Sequence, residues 1–281
     1  MLMALILLAL SSQAEVYQWN STQRAYWAGT KPVQLVIDTE FSNEVINRVF
    51  EILEPYPFVL KERKNIDLSY EPAANEVALA YLDLHFNTGG SSVDPAYRNA
   101  NGGLTRGLCH AGRASTDERL VWTMIHELFH SVGLDHGLPW KIAEGIIYPR
   151  PLMTSSKPAF KIQHDDKRAL SETFREKYLS NTITITGNIA GEPIKSMFLN
   201  FVNVDNVGDS SQVVVNYAFT NKTTYSIPNL KKGRYYITLS PIGLSAAVIN
   251  VYDAPTYKTI KYWKGKRIVD LRQDRVLNLE F

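Results

Sequence analysis

Cysteine is almost missing from this 281-residue chain: Cys109 stands alone. No intrachain disulfide can form, so stability must come from packing, and a lone cysteine reads as a buried small hydrophobe. An excess of charge of one sign is missing too. Thirty Lys and Arg face 28 Asp and Glu, a net charge of +2, which points to neither nucleic acid nor an acidic partner. Long apolar runs are also missing, except at the start. MLMALILLALSSQAEV holds an apolar run, Leu2 to Leu10, too short to span a bilayer. Small residues follow at Ser12 and Ala14, so residues 1–14 read as a signal peptide, with export after its removal and no stable membrane insertion, although no Lys or Arg supplies the usual charged start; the alternative is a buried N-terminal strand or helix. Histidine is scarce, six in all. Three of those six fall within eleven residues, HELFHSVGLDH, at 126 to 136.

At 45% apolar content the chain can build a core in each of two domains. VQLVI at 33–37 reads as a strand. Ser42 reads as the N-cap of a helix carrying Val45, Ile46, Val49, Phe50 and Leu53, which Pro55 stops. Residues 66–70 alternate like a second strand, and VALAYLDLHF at 77–86 reads as a third. Residues 87–108, rich in Gly, Asn and Ser, read as a long loop. Ser115 and Glu118 fit a capping box ahead of a helix bearing Leu120, Val121, Met124, Ile125 and Leu128, with Gly133 as its stop. Residues 165–179 form another amphipathic stretch. From about residue 181 the chain turns to short strand-like runs separated by turns, the pattern of a β-sandwich. The domains expected are 15–180 and 181–281.

On a helix, His126 and His130 lie one turn apart on one face, where two imidazoles can share a metal ion. Glu127 flanks them and can reach a metal-bound water. Gly133 can take positive φ and reverse the chain, which lets His136 return to the same ion. Three neutral nitrogens leave one corner of a tetrahedral zinc open, as catalysis requires. Zinc lowers the pKa of its bound water to about 7, and Glu127 would take that proton and pass it to the leaving amine. Two histidines at this spacing are often only half-exposed residues. The full set of five specified residues would arise by chance in roughly one of 10⁵ sequences of this composition.

The stretch resembles the metzincin metalloprotease signature HExxHxxGxxH. The resemblance implies an α+β catalytic domain with a twisted mixed sheet and a zinc-site helix. It also implies one catalytic Zn²⁺ on His126, His130 and His136, with Glu127 as catalytic base and Gly133 as the helix-ending turn. A methionine turn under the zinc is implied, with Met153 in Pro151-Leu152-Met153-Thr154 as the candidate. Departures follow from the same comparison. Ser155 stands where some members carry a tyrosine ligand, so no such ligand is expected. Cys109 is misplaced for a cysteine switch. His85, Asp94 and His110 lack one histidine-bearing segment of the second, structural zinc site, and read as surface or hydrogen-bonded groups. His164 reads as a helix-start residue. An extended peptide would lie along a sheet edge, with 77–86 as the candidate, beside a pocket wall around 154–162 that includes Lys157, Phe160 and Lys161.

Residues 181–281 hold no metal or nucleophile cluster. They loosely resemble carboxypeptidase-regulatory-like and Ig-like sandwiches. KYWKGKR at 261–267 mixes bases and aromatics and suggests glycan or surface contact. The expected function is a secreted zinc endopeptidase acting on protein or peptide. The alternative is a surface-binding or adhesion protein in which the zinc fold persists with weak catalysis.

Overall fold

The computed structural model describes residues 27–67, 69–82, 92–93, 97–98, 103–112, 116–134, 141–143, 146–147, 152–153, 160–190, 197–215, 224–241, 261–264 and 267–281. Residues 1–14, His85, Asp94, His136, Ser155 and Lys157 lie outside that set.

The chain mixes helices and sheets, an α+β composition. β1 (Val33–Asp38) leads to α1 (Asn43–Leu53). Ser42 caps this helix by accepting from the Val45 N–H at 3.2 Å. Val45, Ile46, Val49 and Leu53 form its buried face. β2 (Phe58–Lys64) follows, then β3 (Glu76–Leu82), β4 (Ser92–Val93), β5 (Tyr97–Arg98) and β6 (Leu104–Gly112). The sheet order is β2-β1-β3-β6-β4, with β5 also on β6. β1, β2, β3 and β6 run parallel, while β4 and β5 run antiparallel to β6.

Several expectations are corrected here. The second strand is 58–64, not 66–70. Asp38 Oδ2 accepts the Ile66 N–H at 2.9 Å, and Asp67 Oδ1 accepts the Ser69 N–H, so the chain turns there instead. β2 escaped notice because it is an edge strand with a largely exposed run of charged residues. β3 is no edge: it pairs with β1 and β6, and its apolar character on both faces is that of a buried parallel strand. The edge beyond β6 belongs to β4. The supposed loop 87–108 contains β4, β5 and the start of β6. LTRGLCHAG hides a central strand because glycines and short side chains dilute its pattern.

α2 (Asp117–Ser131) packs on this sheet. Its cap is Thr116, not Ser115: Thr116 Oγ1 accepts the Arg119 N–H at 3.2 Å, which displaces the expected capping box by one residue. Cys109, fully buried on β6, lies against Ser131 and the Glu127 carbonyl. β7 (Lys141–Ala143) and β8 (Ile146–Ile147) pair antiparallel. α3 (His164–Phe174) is shorter than expected, because Arg175 adopts a left-handed conformation with φ 53°. Lys31 Nζ donates to the Phe174 carbonyl at 3.0 Å and pairs with Glu176. This places a cation at the negative end of the helix. One apolar core joins the sheet to all three helices, from Trp27 to Phe174.

Among the described residues after 180, the regular elements are strands apart from a single turn of 3₁₀ helix, Val207–Asp209. β9 (Thr182–Ala190), β10 (Met197–Asn203), β11 (Ser211–Val215), β12 (Thr224–Lys231), β13 (Gly233–Pro241), β14 (Lys261–Tyr262), β15 (Val269–Leu271), β16 (Arg275–Val276) and β17 (Leu279–Glu280) make two sheets. One runs β11-β10-β13-β14, with β15 on β13; the other runs β12-β9-β16, with β17 on β9. A separate core, including Ile185, Leu199, Phe201, Ile227, Tyr235, Ile237 and Leu239, draws on both sheets. Gly187 on β9 meets the other chain segment closely: a Cβ there would stand 2.0 Å from the Leu277 carbonyl oxygen.

Candidate metal centre

α2 buries what a helix normally keeps in water. His126, Glu127 and His130 are 7%, 5% and 7% exposed. Burying three ionisable groups side by side is costly unless they have bonds or a ligand to satisfy them. The helix cannot turn them outward. Met124, Ile125, Leu128 and Phe129 alternate with them and are fully buried in the main core.

Each imidazole is held by a backbone carbonyl. His126 Nδ1 lies 2.8 Å from the Leu152 carbonyl oxygen, and His130 Nδ1 lies 2.7 Å from that of Leu134. A carbonyl only accepts, so both Nδ1 atoms carry the proton. In the neutral rings both Nε2 atoms therefore present lone pairs. Those two Nε2 atoms stand 3.1 Å apart, with the rings nearly perpendicular at 85°. With both rings neutral in that tautomer neither donates to the other, and a cation shared by the two lone pairs would relieve their repulsion. Two nitrogens bound tetrahedrally to zinc at about 2.05 Å would stand roughly 3.3 Å apart, so the pair fits. The hydrogen bond on the far nitrogen is the second-layer contact that fixes a metal-binding tautomer.

The two carbonyls have local origins. Gly133, with φ 109°, ends α2. The Gly133 N–H donates to the His130 carbonyl and the Leu134 N–H to that of Phe129, both at 3.0 Å. This reversal brings the Leu134 carbonyl back over the His130 ring. The Leu152 carbonyl is held from α3. Asp166 accepts the N–H groups of Leu152 (2.9 Å), Met153 (3.2 Å) and Gln163 (2.8 Å). Burial pushes its carboxyl up to about 7, against the pull of those three donors. Met153 is buried, 2% exposed, on the segment whose preceding carbonyl bonds the His126 ring.

Glu127 sits between the two imidazoles in sequence, and burial pushes its carboxyl up to about 8. Among the described residues no group of three potential metal-ligating side chains is gathered; the expected third donor, His136, lies outside them. The structure thus brings together His126, His130 and the Leu152–Met153 segment. His110 is buried on β6, and Phe160 is 51% exposed. Asp166 and the Leu134 carbonyl were missed from sequence. An acid at the third position of a helix is the only hint of the former, and a backbone carbonyl leaves none. No protein-family model matches the chain, and no curated protein matches it.

Proposed function

We propose that this chain is a secreted zinc-dependent endopeptidase of metzincin type, with its catalytic domain in residues 15–180 and an accessory β-sandwich in 181–281. The observation that carries the reading is the pair of imidazoles whose Nε2 lone pairs face each other at 3.1 Å, with both Nδ1 atoms bonded to carbonyls. His126 and His130 would hold the ion together with His136, which the motif supplies. When bound, zinc supplies Lewis-acid polarisation of the scissile carbonyl and a lowered pKa for the attacking water.

The chain's own groups do the rest. Glu127, enclosed by the core, is the one carboxylate flanking both imidazoles in the motif. It takes the proton from the attacking water and delivers it to the departing amine. The Leu134 and Leu152 carbonyls keep both rings in the required tautomer throughout. An extended substrate would join as an added strand at the sheet edge, where β4 pairs with β6 alone among the described residues. Among the described residues no helix is long and apolar enough to cross a membrane.

The test is a peptide-library digest. Wild type cleaves unfolded protein substrate and stops when a zinc chelator is added. Glu127→Gln keeps its zinc and loses about 10²–10⁴-fold in kcat/KM. A zinc-loaded wild type that cleaves nothing would favour the surface-binding alternative, with the sandwich as the working part.

A further inference from the structure

A cleft of about 460 Å³ opens where α3 meets the strand-rich half of the chain. One wall comes from residues of α3 and its flanks between 161 and 180, the other from Asn206, Gly208, Asp209 and Lys231. The halves are joined there by His164, whose Nε2 donates to the Asn229 carbonyl at 3.1 Å. That carbonyl is turned toward α3 by the bulge that interrupts the β12–β9 register between Ile227 and Leu230.

Three lysines line this cleft: Lys161, Lys167 and Lys231. Among the described residues no carboxylate pairs with them, whereas Lys31 and Lys61 each reach a glutamate. Among the described residues the only acid in the lining is Asp209, and it already accepts from the Asn206 amide at 3.0 Å. His164 adds no charge, because burial pushes its pKa down. The lining therefore carries three positive charges against one negative. The N-terminal end of α3, the positive end of its dipole, opens on the same space. Three like charges around one half-enclosed space favour an anion among them. The volume falls within the range of small-molecule sites, roughly 300–1,000 Å³, and exceeds what one inorganic anion needs. Tyr178 and Leu179 offer apolar surface for an organic body.

We propose that this junction is a binding site for a small molecule bearing a phosphate or sulfate ester, held between the two halves of the chain by Lys161, Lys167 and Lys231. Phosphate and sulfate share the tetrahedral oxyanion chemistry that ammonium groups recognise. The ligand would tie the halves together, so its binding appears as stability of the whole chain. His126, Glu127 and His130 are not among the residues that line this cleft, and the proposal does not depend on peptidase activity.

The experiment is thermal unfolding of the full chain titrated with inorganic phosphate and, separately, with inorganic sulfate, at ionic strength held constant with sodium chloride. Saturable stabilisation by one or both, with Tm rising by roughly 2–4 °C, is expected, and the stronger anion identifies the ester. A Lys161→Gln/Lys167→Gln/Lys231→Gln variant should lose the response, with apparent affinity at least about tenfold weaker. Lys177→Gln, an exposed lysine outside the cleft, should keep it. No stabilisation beyond that of chloride, or a response undiminished in the triple variant, overturns the proposal. Neither result depends on zinc or on hydrolysis.

Discussion

Two buried imidazoles and a buried carboxyl on adjacent positions of one helix oppose folding, and each hydrogen bond around them offsets that cost. The offset reaches beyond α2. Asp166 fixes the Leu152 and Met153 N–H groups, and the Leu152 carbonyl fixes His126. Asp166→Ala should therefore weaken zinc binding by about 10–100-fold, the usual effect of losing an outer contact to a ligand. Competition with a chromophoric chelator reads this directly; unchanged affinity would show that the Leu152–Met153 segment holds itself. Glu76 is a purely structural counterpart, 2% exposed on β3. Burial alone would raise its pKa, but the Ala73 N–H, Lys61 and Tyr70 outweigh that and hold it below the ordinary value. A depressed carboxylate stabilises the fold above its unfolded pKa, and that stability is lost as pH falls through the folded value. Glu76→Gln should cost about 1–3 kcal/mol near neutrality, and the gap should close as pH falls below about 4. Denaturant melts at a series of pH values test the sign.

Elements differ in how openly the sequence declares them. α1 and α2 were readable because apolar residues recur at helical spacing and a hydroxyl residue precedes each. α2 nevertheless begins after Thr116 and not Ser115, since neighbouring hydroxyls are equivalent in sequence and only the backbone selects one. β6 was invisible: it is central and parallel, and its small residues carry no alternation. β2 was invisible for the opposite reason, with charged residues along an exposed edge. The two imidazoles and their glycine stop were legible because spacing alone places them. Their carbonyl partners were not, because every residue has a carbonyl and only the tertiary fold decides which one arrives. Gly187 shows the same limit. Its need for no side chain comes from Leu277, ninety positions away. Gly187→Ala should force backbone apart and cost roughly 1–3 kcal/mol, seen as a lowered denaturation midpoint. A neutral result would mean the β9 contact opens easily.

Among the described residues the two largest cores share no residue, one ending near Tyr178 and the other beginning at Ile183. Metal removal should therefore act on one of them. Calorimetry with a chelator should lower the transition of the helix-bearing half, while the strand-rich half melts close to its original temperature. A single transition shifted as a unit would instead show that the His164–Asn229 junction couples the halves strongly. The central claim is narrower than any of these effects: one zinc ion, held by the imidazoles of α2. It is tested most directly by elemental analysis of zinc in the purified, dialysed chain beside its His130→Ala variant. The account predicts one zinc per chain in the wild type and close to none in the variant. A wild type that retains no zinc after exposure to it, or a variant that retains as much as the wild type, would contradict it.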